Sequence, residues 1–270
     1  MTTFQAFILG IVQGVTEFLP ISSSGHLVIL PHLLGWEIPA GQAFVFDVLV
    51  QMGTLVAVIV YFWKDLWAII SVTLKNIGKP GFFSKPEVRL GINIIIATIP
   101  AVVVGFLFKD TVEAAFGNPT ATALFLLFTA VLLVVAERVG RRTRGFDDIG
   151  WLNALWIGVF QALSLFPGVS RSGSTITGGM VNHLERPAAA RFSFLMAVPV
   201  MIGAGVLALF DMAQLPDLST FAFPMLAGFL TAAVVGYFAI RWLLRYLAEK
   251  TLYVFAIYLV IFSLLALILG

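Results

Sequence analysis

Two short polar clusters interrupt an otherwise apolar chain. The first lies in QGVTEFLPISSSGH (13–26) and offers Gln13, Glu17, Ser22, Ser23 and His26; the second lies in PGVSRSGST (167–175) and offers Ser170, Arg171, Ser172 and Thr175. Gln13 and Glu17 are four residues apart, so on a helix they share a face and present hard oxygen donors of the kind that hold Mg2+ or Ca2+. The serines follow a break at Pro20, where a hydroxyl suits the first cap of a new helix, and helix N-termini receive anions. His26, one turn on, titrates near neutrality and can serve as acid, base or nucleophile. Arg171 stands among four hydroxyls, and a guanidinium forks onto phosphate oxygens. Each feature alone has a plainer role: a protonated Glu17, capping serines, a satisfied buried histidine, or a Glu17–Arg171 ion pair. The ion pair accounts for two charges and leaves the hydroxyls, His26 and the glycine-rich turns idle. The combination points to a phosphate site.

These clusters must be positioned inside a membrane. Apolar residues make up 60% of the 270 positions and charged residues 11%, against about 25% charged in a soluble domain. Six stretches approach the roughly 20 apolar residues that cross the hydrocarbon layer: about 45–62, 91–108, 119–136, 191–210, 224–240 and 252–269. The loops 63–90, 137–150 and 241–251 are basic, whereas 109–118 carries only Lys109 and 211–223 carries no cation. The positive-inside rule then places the basic loops in the cytoplasm and both termini outside. Residues 1–63 contain no Lys or Arg, so a cleavable signal peptide is not expected. The chain has no cysteine, which excludes thiolate chemistry, and its net charge of +2 does not suit nucleic acid.

Segments 1–44 and 151–190 are too apolar for loops, and each is broken mid-way, at Pro20 and at Pro167-Gly168. Each must also leave and re-enter the same side, so both are expected to be re-entrant hairpins buried in protein. They are copies. Residues 10–25 align without a gap on 158–173, with Gly10, Gln13, Phe18, Ser22, Ser24 and Gly25 on Gly158, Gln161, Phe166, Ser170, Ser172 and Gly173. Phe44, Phe46 and Val50 then fall on Phe192, Phe194 and Val198, and Ala101 to Gly105 resembles Ala232 to Gly236. Each half holds one hairpin and three spans. The expected fold is therefore all-α: a single polytopic membrane domain over 1–270, six transmembrane helices plus two re-entrant hairpins, in inverted repeats of approximately 1–140 and 150–270. Such repeats bring polar groups together near the bilayer midplane. Leu165 replaces Glu17 and Arg171 replaces Ser23 in the second copy, so one hairpin brings the acid and the other the base. Asp47 and Gln51 share a helical face near a span end, which a place lining the site and an interfacial position explain equally well; His32 and His183 are expected at the membrane surface, and Asp147 and Asp148 in solvent.

The two motifs, QGVTEFLPISSSGH (13–26) and PGVSRSGST (167–175), resemble the signatures of the bacterial undecaprenyl-diphosphate phosphatase family, and the likeness extends over the whole chain, including the FDD segment (146–148). The resemblance implies a metal-dependent phosphatase of the cytoplasmic (inner) membrane, opening outward, with Mg2+ or Ca2+ as cofactor. The substrate would be a polyprenyl diphosphate lipid, undecaprenyl diphosphate, recycled for cell-wall synthesis. Gln13 and Glu17 match the family's E/Q-x-x-x-E motif, with Gln in its first position; Ser23 and His26 match its nucleophile or acid–base pair. Ser170, Arg171 and Thr175 match the motif that grips the diphosphate, with Ser22 and Ser172 beside it. The nucleophile stays open among Ser23, His26 and water. The rival class is a lipid-phosphate or anion transporter, since inverted repeats with broken helices are a transporter architecture. The asymmetric set, Glu17 and His26 on one hairpin and Arg171 on the other, favours the enzyme.

Overall fold

A computed structural model describes the chain apart from residues 39, 109–110, 113–117, 213–217 and 270, and its side chains apart also from those at 40–44, 207–212 and 218–221. The expectations resting on Phe44, on Lys109 and on most of 211–223 lie outside the described residues. Among the described residues the structure is helical throughout, with one isolated bridge between Arg144 and Leu184. The helices are α1 (Thr3–Thr16), α2 (Ser23–Leu33), α3 (Ala40–Tyr61), α4 (Trp63–Asn76), α5 (Pro86–Leu107), α6 (Pro119–Val139), α7 (Trp151–Leu163), α8 (Arg171–Val181), α9 (Arg186–Met212), α10 (Leu218–Glu249) and α11 (Tyr253–Leu269).

Length and apolar composition let four helical stretches cross a membrane: Pro86–Leu107, Pro119–Val139, Arg186–Val206 and Ala222–Glu249. A fifth is the pair Val45–Tyr61 and Trp63–Asn76, bent by 74°. Tyr253–Leu269 is apolar but shorter, at 17 residues. The second arm of the bent pair, α4, falls in what the sequence reads as a basic loop. Its charges are real, but Trp63, Trp67, Ile70 and Leu74 share its outer surface with them, and that mixture of aromatic, aliphatic and cationic groups is the composition of an interfacial helix.

The two hairpins, α1–α2 and α7–α8, consist of arms too short to cross alone: 14 and 11 residues in the first, 13 and 11 in the second. At 1.5 Å per residue none exceeds about 21 Å, against a hydrocarbon layer of about 30 Å. Each hairpin leans on one long helix. α1 packs against α10 and α7 against α5, while α3 meets α9 and α6 meets α11. The leaning is close because a glycine sits at each crossing. A Cβ on Gly10 would stand 2.6 Å from the Gly228 carbonyl oxygen, and one on Gly158 would stand 2.5 Å from that of Ala97.

Charge also holds the bundle together away from the hairpins. Glu137, at the end of α6, accepts from Arg186 Nε (2.7 Å) and the Leu252 amide (2.8 Å) through one oxygen, and from Arg186 Nη2 (2.6 Å) and Arg142 Nη2 (2.5 Å) through the other. One buried carboxylate thus ties α6 to α9, to the 140–150 loop and to the α10–α11 link. Removing it strands two cations, the costly way to break a buried pair. Glu137→Ala should therefore lose about 3–5 kcal/mol, visible as a lower melting temperature of the purified protein in detergent; an unchanged midpoint would show that water already serves these arginines.

Candidate active site

Each hairpin turns through a polar corner whose backbone is fixed by its own hydroxyls. In the first, Ser22 adopts φ 68°, a left-handed conformation uncommon for a residue with a side chain, and its Oγ accepts from the Gly25 amide at 3.3 Å to open α2. In the second, Gly168 takes the positive φ (96°), where a Cβ would also collide with the Thr122 carbonyl. Ser170 Oγ then accepts from the Gly173 amide at 3.0 Å to open α8. Ser22 with Ser24, and Ser170 with Ser172, are joined hydroxyl to hydroxyl at 3.3 and 3.2 Å. These aligned residues do the same local work.

The corners meet. Arg171 Nη2 donates to Glu17 Oε1 at 2.7 Å, and Ser172 Oγ donates to the Leu19 carbonyl at 3.0 Å. The other Glu17 oxygen accepts from Ser23 Oγ at 2.5 Å and from Gln13 Nε2 at 2.8 Å. Gln13 is fully buried and Glu17 nearly so, at 8% exposed. Three donors from two hairpins therefore hold one carboxylate that water scarcely reaches. Among the described residues two atoms of the group have no partner: Arg171 Nη1 and Gln13 Oε1. The first is a cationic donor and the second a neutral acceptor.

Beside this group lies a cavity of about 270 Å³. Glu17, Ser22, Ser23, Ser170 and Arg171 line it together with Gln51, Gln161 and Ser164, and Val200, Met201 and Ala204 of α9 form part of its apolar wall. The other sequence-derived residues stand behind the wall. Gln13 backs Glu17. Ser172 is committed to Leu19. Thr175 Oγ1 lies between the Arg171 carbonyl (2.7 Å) and Ser193 Oγ (2.6 Å), so it steadies the first turn of α8.

His26 has other partners than the expected one. Its Nδ1 is 2.7 Å from the Ser22 carbonyl and its Nε2 is 2.7 Å from Tyr258 Oη. A carbonyl only accepts, so in the neutral ring Nδ1 carries the proton and Nε2 accepts from the tyrosine. Phe262 stacks on the imidazole with centroids 4.3 Å apart. No hydrogen bond joins His26 to Ser23 among the described residues; Ser23 is paired with Glu17 instead. Sequence reasoning missed Tyr258 and Phe262, which sit on the last helix with nothing local to mark them.

A hard cation would find one carboxylate here, Glu17, and neutral amide oxygens, among them Gln13 Oε1, that no described donor claims. Among the described residues no group of three or more His, Cys, Asp or Glu could hold a metal, so this is no all-protein cage. It does fit the manner in which Mg2+ is usually held, by one or two carboxylates with substrate phosphates completing the shell.

The model of the family described as bacitracin resistance protein BacA matches residues 6–265. The chain belongs to that family. A protein of Moorella thermoacetica named undecaprenyl-diphosphatase is 44% identical over 96% of this chain and 94% of its own length. One of the same name from Chlorobium phaeovibrioides is 44% identical over 100% and 97%, and one from Methanosphaera stadtmanae is 42% identical over 98% and 97%. Both polar corners fall inside the BacA match.

The Glu17–Arg171 contact makes a stability prediction that is independent of activity. Arg171→Met leaves a buried carboxylate short of its cation and should be more damaging than the double variant Glu17→Leu with Arg171→Met, because removing both charges also removes the desolvation cost. Thermal unfolding of the variants in detergent reads this directly; purely additive losses would mean that the two charges are not coupled.

Proposed function

We propose that this chain hydrolyses undecaprenyl diphosphate to undecaprenyl phosphate and inorganic phosphate. The observation that carries the reading is the Ser23–Glu17–Arg171 group, with a hydroxyl, a carboxylate and a half-free guanidinium within contact distance at a cavity wall. Membership of the BacA family and relatives named undecaprenyl-diphosphatase support the substrate.

The lipid's terminal phosphate enters beside Arg171, where Nη1 takes a phosphate oxygen while Nη2 keeps Glu17 in place. Ser23 Oγ attacks the terminal phosphorus and passes its proton to Glu17. The bond from that phosphorus to the bridging oxygen breaks, and undecaprenyl phosphate leaves. Water then attacks the phosphoserine, a proton returns to Ser23 Oγ, and inorganic phosphate departs. The hydroxyls and amides at the head of α8, around Ser170 and Ser172, add donors where negative charge accumulates, and Ser22 does so from α2. A bound Mg2+ or Ca2+, held by Glu17 and Gln13 Oε1, would neutralise charge on the diphosphate oxygens. Glu17 has room for this, since a carboxylate offers about four acceptor positions and Gln13, Ser23 and Arg171 use three. Thr175 acts as a support for Arg171. His26 is a positioning residue, holding the Ser22 carbonyl and so the turn that presents Ser23.

Six membrane-crossing segments with two re-entrant hairpins in inverted repeats, both termini outside and the site opening outward, belong to the same proposal. Helix pairing supports the inversion: exchanging the two halves turns the α1–α10 contact into α7–α5 and returns α3–α9 and α6–α11 to themselves. An outward site suits an enzyme that returns the lipid carrier to peptidoglycan synthesis.

Purified protein with undecaprenyl diphosphate in detergent should release phosphate only with divalent cation present, and a chelator should stop it. Glu17→Gln, Arg171→Ala and Ser23→Ala should each lose at least about a hundredfold in rate, the scale on which a nucleophile or a charge-stabilising group is felt. Near-parent rates from Ser23→Ala would return the attack to water or His26. Absent phosphate release, with lipid crossing liposomes, would establish the transporter instead.

A further inference from the structure

The cavity wall holds an amide, Gln161, to which the reaction above assigns nothing. Gln161 lies on α7 where Gln13 lies on α1, the two being aligned residues of the hairpin copies. It is 1% exposed. Gly158 lets α7 settle against α5, and one turn later Gln161 Nε2 donates to the Ala97 carbonyl at 3.2 Å. Its Oε1 is buried, with no donor among the described residues.

The amide cannot simply be turned round. Reversed, it would set its oxygen against the Ala97 carbonyl; reversed Gln13 would likewise set oxygen against the Glu17 carboxylate. Both orientations are dictated by an acceptor that claims the nitrogen, and both leave a neutral oxygen free. A structural amide looks different here. Asn153 Oδ1 accepts from the Gly150 amide at 3.0 Å and from Arg144 Nη2 at 3.0 Å. A buried acceptor without a donor is unusual enough to require an explanation, and a glutamine spent only on Ala97 would be better replaced by an apolar side chain.

We propose that Gln161 is a neutral oxygen ligand, directly or through a bound water, for the divalent cation that accompanies the diphosphate. It would be the second hairpin's share of a cation site whose carboxylate, Glu17, comes from the first. This rests on the metal-dependent reading above and adds a residue to it. Neutral ligands suit such a site. With only one carboxylate, the cation keeps enough charge to require the diphosphate oxygens, so it binds well only together with substrate.

The test is Mn2+ binding to the full chain in detergent, followed by the magnetic resonance signal of the free ion, with methylenediphosphonate present as an uncleavable diphosphate. Gln161→Leu and Gln161→Met should each weaken Mn2+ by at least about tenfold, the lower end of what losing a ligand-shell group costs, while their melting temperatures without metal equal or exceed the parent's. Gln161→Glu should bind more tightly than the parent. Parent-like affinity in the folded variants overturns the role of Gln161 even if phosphate release falls. A parent that binds no Mn2+ with the diphosphonate overturns the metal reading as well.

Discussion

A buried carboxylate is costly unless it is paired and hydrogen-bonded, and this fold meets that cost at Glu17 with three donors from two separate hairpins. Gln13 comes from one turn earlier on the same helix, Ser23 from across the first corner, and Arg171 from the second hairpin. The contact can form only if both corners reach the same place. Everything else in the architecture serves that requirement. Gly10 and Gly158 bring the outgoing arms hard against α10 and α5, and the capping hydroxyls of Ser22 and Ser170 start the return arms at fixed points.

The same constraint sets the site apart from a plain ion pair. A structural pair would satisfy every donor and acceptor on both members. Here Arg171 uses one nitrogen on Glu17 and keeps another free, and the hydroxyl of Ser23 is held against a carboxylate already oriented by its neighbours. Such preorganised polarity in a site poor in water is what stabilises developing charge. The imidazole contributes at one remove: with Nδ1 on the Ser22 carbonyl and Nε2 on Tyr258, His26 clamps the unusual backbone of Ser22 to the last helix.

Much of this was legible in the sequence because charge is scarce there. In a chain with 11% charged residues, a Glu and an Arg at matching breaks of a repeated apolar segment stand out, and their meeting follows if the two copies face each other. The helical class was legible for the same reason, from long apolar runs. What stayed hidden depends on partners remote in the chain. Tyr258 is one of four aromatics on an apolar helix, and nothing in its surroundings names His26. Glu137 reads as the first charge of a loop, although it is buried and collects two arginines. α4 reads as a basic loop because Lys64, Asp65 and Lys75 break its apolar pattern. A single histidine beside serines suggests their base; only coordinates show which atoms each ring nitrogen faces.

Site and fold alike require the two corners to touch. The chain contains no cysteine, so Ser23→Cys with Arg171→Cys would carry the only thiols, one at each tip, at positions whose native side chains meet Glu17. A short bis-maleimide that spans the reach given up with the arginine side chain, applied to this variant in native membranes, should join residues 23 and 171 in high yield, read by mass spectrometry of the linked peptides. Two thiols that each react with a small maleimide and yet never link would contradict it, for the hairpins would then not share a site.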